Sequence, residues 1–474
     1  MALAFSCLEL EGFRSFRDQT TIPLKPLTLL YGQNSAGKST IIKSLLLLQQ
    51  TFDLHRRRGD HFVFSGESVD LGSFASSVTD HNPDRHIRIG ISLTSTPNPR
   101  SRLIDSESDE SLRIEWIIGT GGILQGVTVF SQGKPLHFTA WDPNRNSRGG
   151  RPEDVLLVLD RDSVQDFVEL FNPSQTLFAE QDRLLGDLNS GVGFRPAFRC
   201  GLIPGRLLGL VRDSDFLRST MDDYDNVESP NEGILQDAWD RFSRKLEFRL
   251  RSQFQSLAYV GPLRREPQRF ERFFPTTGRN VGQQGESTLS LLYSNQRYVQ
   301  RVNNYLQSME LPYEIRVRSV QSDETLGSLI YMSLVNRKGV QLAPTDVGVG
   351  YSQVLPLITQ SVTAQGSLVC VEQPELHLHP AVQSRLADVF IESARAGNNV
   401  QYIIETHSEY LILRIMRRIR EGRLSSADVQ VLYVDQDQDG YSSAVDLPLD
   451  DHGDFTRAWP RGFFDERISE IEFD

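Results

Sequence analysis

The first chemical signal in this chain lies in one short loop. Gly32, Asn34, Ser35, Ala36, Gly37, Lys38 and Ser39 belong to a run of the form G-x-x-x-x-G-K-S, and Thr40 follows it. Glycines at both ends let the backbone turn tightly, so that successive N–H groups converge on an anion. A helix starting at the same place adds partial positive charge. Lys38 then reaches the β- and γ-phosphates of a nucleotide, and Ser39 offers a hydroxyl to Mg²⁺. A glycine pair before a helix can be an ordinary turn, so the flanks decide. Leu27–Leu30 form an apolar strand pattern and Ile41–Leu48 an apolar helix pattern. That strand–loop–helix order is the context a phosphate-binding loop needs. The sequence predicts ATP and Mg²⁺ as ligands.

A metal on the phosphates needs an acid from elsewhere in the chain. Ser367–Val371 reads as a buried strand ending in Glu372, the place for that acid. Tyr402–Ile404 reads as another strand, running into Glu405-Thr406-His407-Ser408. Upstream, Gly348 and Gly350 form a glycine-rich turn with Ser352 that opens a helix, whose N–H groups suit a phosphate.

Other chemical-looking groups have plainer readings. Asp435, Asp437 and Asp439 with Gly440 fit half of a calcium loop, but the flanks read as strands, so a hairpin turn is expected. The same aspartates with Glu405 resemble part of a Toprim nuclease, but too little chain follows to complete one. His377 and His379 lack a matching ligand cluster and read as a polar turn. Tyr259–Arg265 reads as a strand ending in a proline turn, with phosphate contact by Arg264 the lesser alternative. Arg56–Arg58 and the helix carrying Arg414, Arg417, Arg418 and Arg420 read as solvated surface.

At 474 residues, with 39% hydrophobic and 24% charged content, the chain can bury a large core in two or three domains. A net charge of −12 argues against nonspecific coating of DNA. The three cysteines, Cys7, Cys200 and Cys370, suggest neither a disulfide framework nor a zinc site. With no membrane-length apolar run and no signal-peptide pattern, a cytoplasmic protein is expected.

Strand patterns appear at Leu8–Phe16, Thr21–Leu24, Ile87–Leu93 and Leu112–Ile117, and a hairpin at Val127–Phe138 turns on Gln132-Gly133. Polar loops are expected near 95–111 and over 142–152, and a mobile acidic loop over 222–230. The stretch 153–255 reads as mostly helical, with Leu235, Trp239, Phe242, Leu246 and Leu250 forming one apolar stripe. The expected division is 1–152 with the phosphate loop and a β subdomain, 153–255 as helical insertion, and 256–474 with the remaining site residues.

Together, Phe13–Phe16, the phosphate loop, Glu372–Pro380 and Glu405–Ser408 resemble the ATP-binding-cassette class of ATPases. The nearest branch is that of RecF, the overcoming-lysogenization-defect nucleases and the structural-maintenance-of-chromosomes heads. The resemblance spans nearly all the chain outside 153–255. The ending Trp459–Glu466 resembles a bacterial subfamily with a C-terminal domain of unknown function, to which the ATPase subunits of the Septu and PARIS phage-defence systems are similar. The resemblance implies an α/β fold: a mixed central sheet around the loop plus an antiparallel β subdomain. It implies that Lys38, Ser39 and Glu372 hold Mg-ATP and that His407 senses the γ-phosphate. It also implies that Gly348 to Ser352 act as a signature loop in trans, two subunits sandwiching ATP. Gln50 is the candidate Q-loop glutamine. The family commonly has Glu after the metal-binding acid, to activate water; this chain has Gln373. An amide is no general base, help typically worth roughly 10²–10⁴-fold. Slow hydrolysis is expected, with Glu375 or His407 as substitutes.

The resulting expectation is a regulatory ATPase of an anti-phage system, homo-oligomeric through its ATP sites and controlling a separate HNH or Toprim nuclease. The alternative is a RecF-like repair protein that clamps DNA on binding ATP. A self-sufficient nuclease is the third possibility.

Overall fold

The computed structural model describes residues 3–58, 62–95, 112–141, 156–171, 194–199, 202–204, 207–212, 232–273, 275, 278–320, 328–348 and 350–460. The chain opens with β1 (Leu3–Glu11), β2 (Thr20–Pro23) and β3 (Leu27–Gly32), then helix α1 (Lys38–Arg58) and the short α2 (Phe74–Ser77). Next come β4 (Ile87–Ser95), β5 (Leu112–Ile118), β6 (Leu124–Ser131) and β7 (Lys134–Trp141). They are followed by β8 (Leu156–Leu159), α3 (Val164–Phe171), β9 (Phe194–Arg199), β10 (Leu207–Arg212) and α4 (Glu232–Gln255). The next part holds β11 (Ala258–Val260), β12 (Glu271–Arg272), α5 (Thr288–Ser294), α6 (Gln296–Ser308), β13 (Tyr313–Val320), β14 (Leu329–Asn336) and β15 (Gln341–Leu342). The last holds α7 (Gly350–Thr363), β16 (Leu368–Glu372), α8 (Pro380–Arg395), β17 (Gln401–Glu405), α9 (Glu409–Arg420), β18 (Val429–Gln436) and β19 (Ser442–Asp446).

These elements form two compact units, with bounds that differ from the three expected segments. One unit joins Leu3–Ile22 to Lys43–Gln255; the other joins Pro23–Ile42 to Ser256–Asp474. The fold is α/β, with a mixed sheet around the phosphate-loop strand and a separate antiparallel sheet, as expected.

The first unit carries the nine-stranded antiparallel sheet, in the order β10-β9-β8-β7-β6-β5-β4-β1-β2. In β5 every second residue is buried, the pattern of a sheet with one covered face. The β6–β7 hairpin turns on Gln132 and Gly133, both at positive φ (50° and 80°), as a two-residue turn between twisted strands requires. In the stretch 153–255, α3 and α4 hold most of the described residues, as the mostly helical expectation has it, but three strands that it lacks extend the antiparallel sheet beside them. The stripe on α4 is core: Trp239 is fully buried, with its ring 5.5 Å from that of Phe138 and 5.6 Å from that of Phe167. The side chain of Leu235, the loop over 142–152, the acidic stretch 222–230, Cys200 and nearly all of 95–111 lie outside the described residues.

The second unit is built on a six-stranded sheet in the order β11-β16-β17-β3-β18-β19, parallel except for the final hairpin. β3 has parallel strands on both sides, and all six of its residues are buried, which accounts for its unbroken apolar pattern. A smaller sheet of β12, β14, β13 and β15 and the helices α5 to α9 close the core of this unit. In an open parallel sheet, ligands bind beyond the carboxyl ends of the strands. Here β3, β16 and β17 end side by side, carrying Gly32, Glu372 and Glu405.

Candidate nucleotide site

β3 runs so close to β18 that a Cβ on Gly32 would lie 2.0 Å from the Val434 carbonyl oxygen, and Gly32 sits at φ 138°. Only glycine fits there. Gly37 is also left-handed, at φ 105°, and Ser442 Oγ on β19 pins the loop by donating to the Ala36 carbonyl at 2.6 Å. Lys38, 3% exposed, folds back over this loop: Nζ donates to the carbonyls of Gly32 (3.0 Å) and Gln33 (2.7 Å). Burial lowers the Lys38 pKa, against the carboxylates of Glu405 and Glu375, which act to raise it.

The acid facing the loop is not the one expected. Ser39 Oγ donates to Glu405 Oε2 at 2.8 Å, a charge-assisted bond of about 1.5–3 kcal/mol. Glu405 reaches it because β17, not β16, pairs directly with β3. Glu372 stands one strand farther on, in register with Glu405 across the β16–β17 ladder, and accepts a hydrogen bond from the Tyr259 hydroxyl. The sequence did hold the signal for Glu405, which ends an apolar strand just as Glu372 does.

The segment after Glu405 is braced by Glu375. Its Oε2 accepts from Thr406 Oγ1 and its Oε1 from the His407 N–H, both at 2.7 Å. Both oxygens are occupied in holding this segment, so the expectation of Glu375 as a substitute base is corrected to that of a clamp. Ser408 caps α9, and the Tyr31 hydroxyl donates to the Ser408 carbonyl at 2.9 Å. His407 is half-buried; burial and then Lys38 lower its pKa, which favours the neutral imidazole.

Gln373 adopts left-handed backbone (φ 45°) and donates its N–H to the Glu405 carbonyl at 2.8 Å. Arg264, 6% exposed, donates Nη2 to the carbonyls of Glu372 (3.0 Å) and Gln373 (3.3 Å). Its Nε and Nη1 are buried with no acceptor among the described residues, at about 1–3 kcal/mol for each unmet group. Burial lowers the Arg264 pKa to about 10.

The remaining expected residues fall into place less tightly. Gly350 opens α7, with Ser352 buried in its first turn. A Cβ on Gly348 would meet nothing within 4 Å, and one on Gly350 nothing closer than the His377 carbonyl at 3.5 Å, so crowding does not demand either glycine. Gln50 belongs to the other unit and has a structural task there. It donates to the Val63 carbonyl (2.6 Å) and accepts from the N–H groups of Ser68 and Val69 (3.2 Å each), which corrects the Q-loop candidate. His379 caps α8 by accepting from the Ala381 N–H, and Asp437 closes the β18–β19 turn by accepting from Asp439 and Tyr441. Both are the plain readings.

A hydroxyl and strand-end carboxylates are hard oxygen ligands of the kind Mg²⁺ takes. Among the described residues, no group of three or more His, Cys, Asp or Glu forms a metal cage. Ser39, Glu405 and Glu372 would therefore hold a Mg²⁺ whose shell is completed by phosphate oxygens and water.

Three family models match the chain. Residues 7–90 match an AAA domain, residues 214–414 match "AAA domain, putative AbiEii toxin, Type IV TA system", and residues 424–472 match a protein family of unknown function. No curated protein matches. Among solved structures, an SMC head bound to the C-winged helix domain of ScpA is similar at 13% identity and a TM-score of 0.42, covering 94% of this chain and 98% of that one. The SMC head domain from Thermotoga maritima has 13% identity and a TM-score of 0.39, over 94% and 99% of the two chains. An SMC head from Pyrococcus furiosus, bound to the C-terminal domain of ScpA, has 12% identity and a TM-score of 0.41, over 94% and 96%. Two of the three matched models are AAA domains, and the phosphate loop lies within the residues matched by the first.

Proposed function

We propose that this chain binds Mg-ATP, hydrolyses it slowly, and uses the bound nucleotide as a conformational signal in an anti-phage defence system. In this reading it assembles with further copies through its ATP sites and controls a separate nuclease of HNH or Toprim type. One observation carries the nucleotide part: Lys38, Ser39, Glu405 and the Glu375-braced Thr406–His407 segment meet at the end of β3. The defence part is supported by the resemblance to phage-defence ATPases and by the toxin–antitoxin description of the matched AAA model.

Lys38 leaves the loop carbonyls to pair with phosphate oxygens, exchanging two neutral acceptors for charged ones. Mg²⁺ supplies charge neutralisation on the phosphates when bound. Ser39 and Glu405 orient toward that side, and the neutral His407 offers a hydrogen bond without adding a cation beside Lys38. Gln373 orients water but takes no proton from it, so hydrolysis lags behind binding. A slow step of this kind lets ATP bias a two-state assembly through its differential affinity for the two states.

The DNA-clamp alternative is weakened at one of its two cationic candidates, α9. Arg414 and Arg418 both bond Asp388, Arg417 bonds Glu421, and Arg420 bonds Asp454, so the basic side of α9 is internally paired.

A Gln373→Glu variant, compared with wild type in single-turnover hydrolysis, tests the slow-signal reading. The expected outcome is an increase of about 100-fold. Brisk wild-type turnover that the substitution leaves unchanged would remove the idea.

A further inference from the structure

β11 is the edge strand of the parallel sheet, next to β16, and its residues end short of the loop around which the nucleotide site is built. β11 and the segment it feeds nevertheless send two side chains to the end of β16. The Tyr259 hydroxyl bonds the Glu372 carboxylate, and Arg264 Nη2 bonds the carbonyls of Glu372 and Gln373. Side chain and backbone of the same acid are thus held from a single neighbouring segment.

Arg264 is a poor choice for a purely structural brace. It is more than nine-tenths buried with two nitrogens unmet, and the turn it holds contains a non-glycine residue, Gln373, in left-handed backbone. Unmet buried donors and strained backbone concentrate where a site requires a particular geometry. The charge acting most to keep Arg264 protonated is Glu375, which clamps the Thr406–His407 segment. Arg264 thus holds the backbone at Glu372 and Gln373, while Tyr259 meets the Glu372 carboxylate.

We propose that Tyr259 and Arg264 are positioning residues that hold Glu372 in the orientation a divalent cation requires. The proposal rests on the nucleotide reading and deepens it. Neither residue touches the metal or the phosphates; Tyr259 fixes the carboxylate, and Arg264 fixes the backbone that carries it. Partners of this kind typically change metal affinity by roughly 10–100-fold when removed.

The test uses the full chain with Mn²⁺ as the probe, titrated in the presence of a non-hydrolysable ATP analogue and followed by electron paramagnetic resonance. Nucleotide affinity in EDTA is measured alongside. Tyr259→Phe and Arg264→Lys should each weaken Mn²⁺ binding about tenfold, with nucleotide affinity in EDTA within about threefold of wild type. A merely structural role would move stability and both affinities together. Mn²⁺ binding within twofold of wild type in Tyr259→Phe overturns the proposal, and that variant decides alone if Arg264→Lys fails to fold. Lys38→Ala separates the two levels. If it binds nucleotide as wild type does, the nucleotide reading falls and takes this one with it; if only the Lys38 contrast survives, the positioning roles are lost and the ATP site stands.

Discussion

Strands β16 and β17 have almost the same local chemistry. Each is five residues long, wholly buried and closed by a glutamate, and the register places Glu372 opposite Glu405. Their surroundings differ by one position in the sheet. β17 lies against β3, so Glu405 meets the Ser39 hydroxyl; β16 lies against β11, so Glu372 meets Tyr259 and its carbonyl meets Arg264. A strand-end acid takes its task from its neighbours, and two acids with one sequence signature can divide one site between them.

The largest expected effect strikes what both acids serve. Lys38→Ala should weaken Mg-ATP binding about 100-fold, since several charge-assisted hydrogen bonds go at once; equilibrium binding of a fluorescent ATP analogue measures it. The pair itself is separated by Glu372→Gln and Glu405→Gln. Glu372→Gln should lower Mg²⁺-supported turnover about 100-fold and Glu405→Gln about tenfold, because Ser39 keeps an amide oxygen as acceptor in the second case. Identical magnesium titrations for the two variants would erase the distinction. Thr406→Val removes one arm of the Glu375 clamp beside Glu405, and urea denaturation should register a loss of about 1–3 kcal/mol. The smallest effect concerns pH. His407 has a lowered pKa in the fold, from burial and then from Lys38. Below about pH 6.5 the unfolded chain therefore binds the proton first, and stability falls as pH drops through that range. A His407→Gln variant should show a flatter fall, measured as unfolding free energy between pH 5 and about 7.5.

The stretch 153–255 shows what local patterns leave out: its helices are as expected, its three strands are not. Leu156–Leu159, Phe194–Arg199 and Leu207–Arg212 are short, and two of them carry a proline or glycine, Pro196 and Gly209. Short apolar runs of this kind do not distinguish strand from helix by period. The ladder they build outward from β7, with β8 on β7, β9 on β8 and β10 on β9, is what makes them strands. The stripe on α4 was legible because its period repeats over several turns, and it is core as its spacing implied.

The phosphate loop could be read directly because everything that defines it lies within about twenty residues: a strand, two glycines, a lysine, a hydroxyl and a helix start. Backbone sterics and helix geometry act over that distance, so residue types and spacing suffice. The acid that answers Ser39 lies 366 residues away, and Gln50, only twelve positions beyond Lys38, turns out to serve a different unit. Sheet order brings Glu405 to the loop and leaves Glu372 one strand aside. That order arises from hydrogen-bond ladders and packing between distant segments, which no local pattern records.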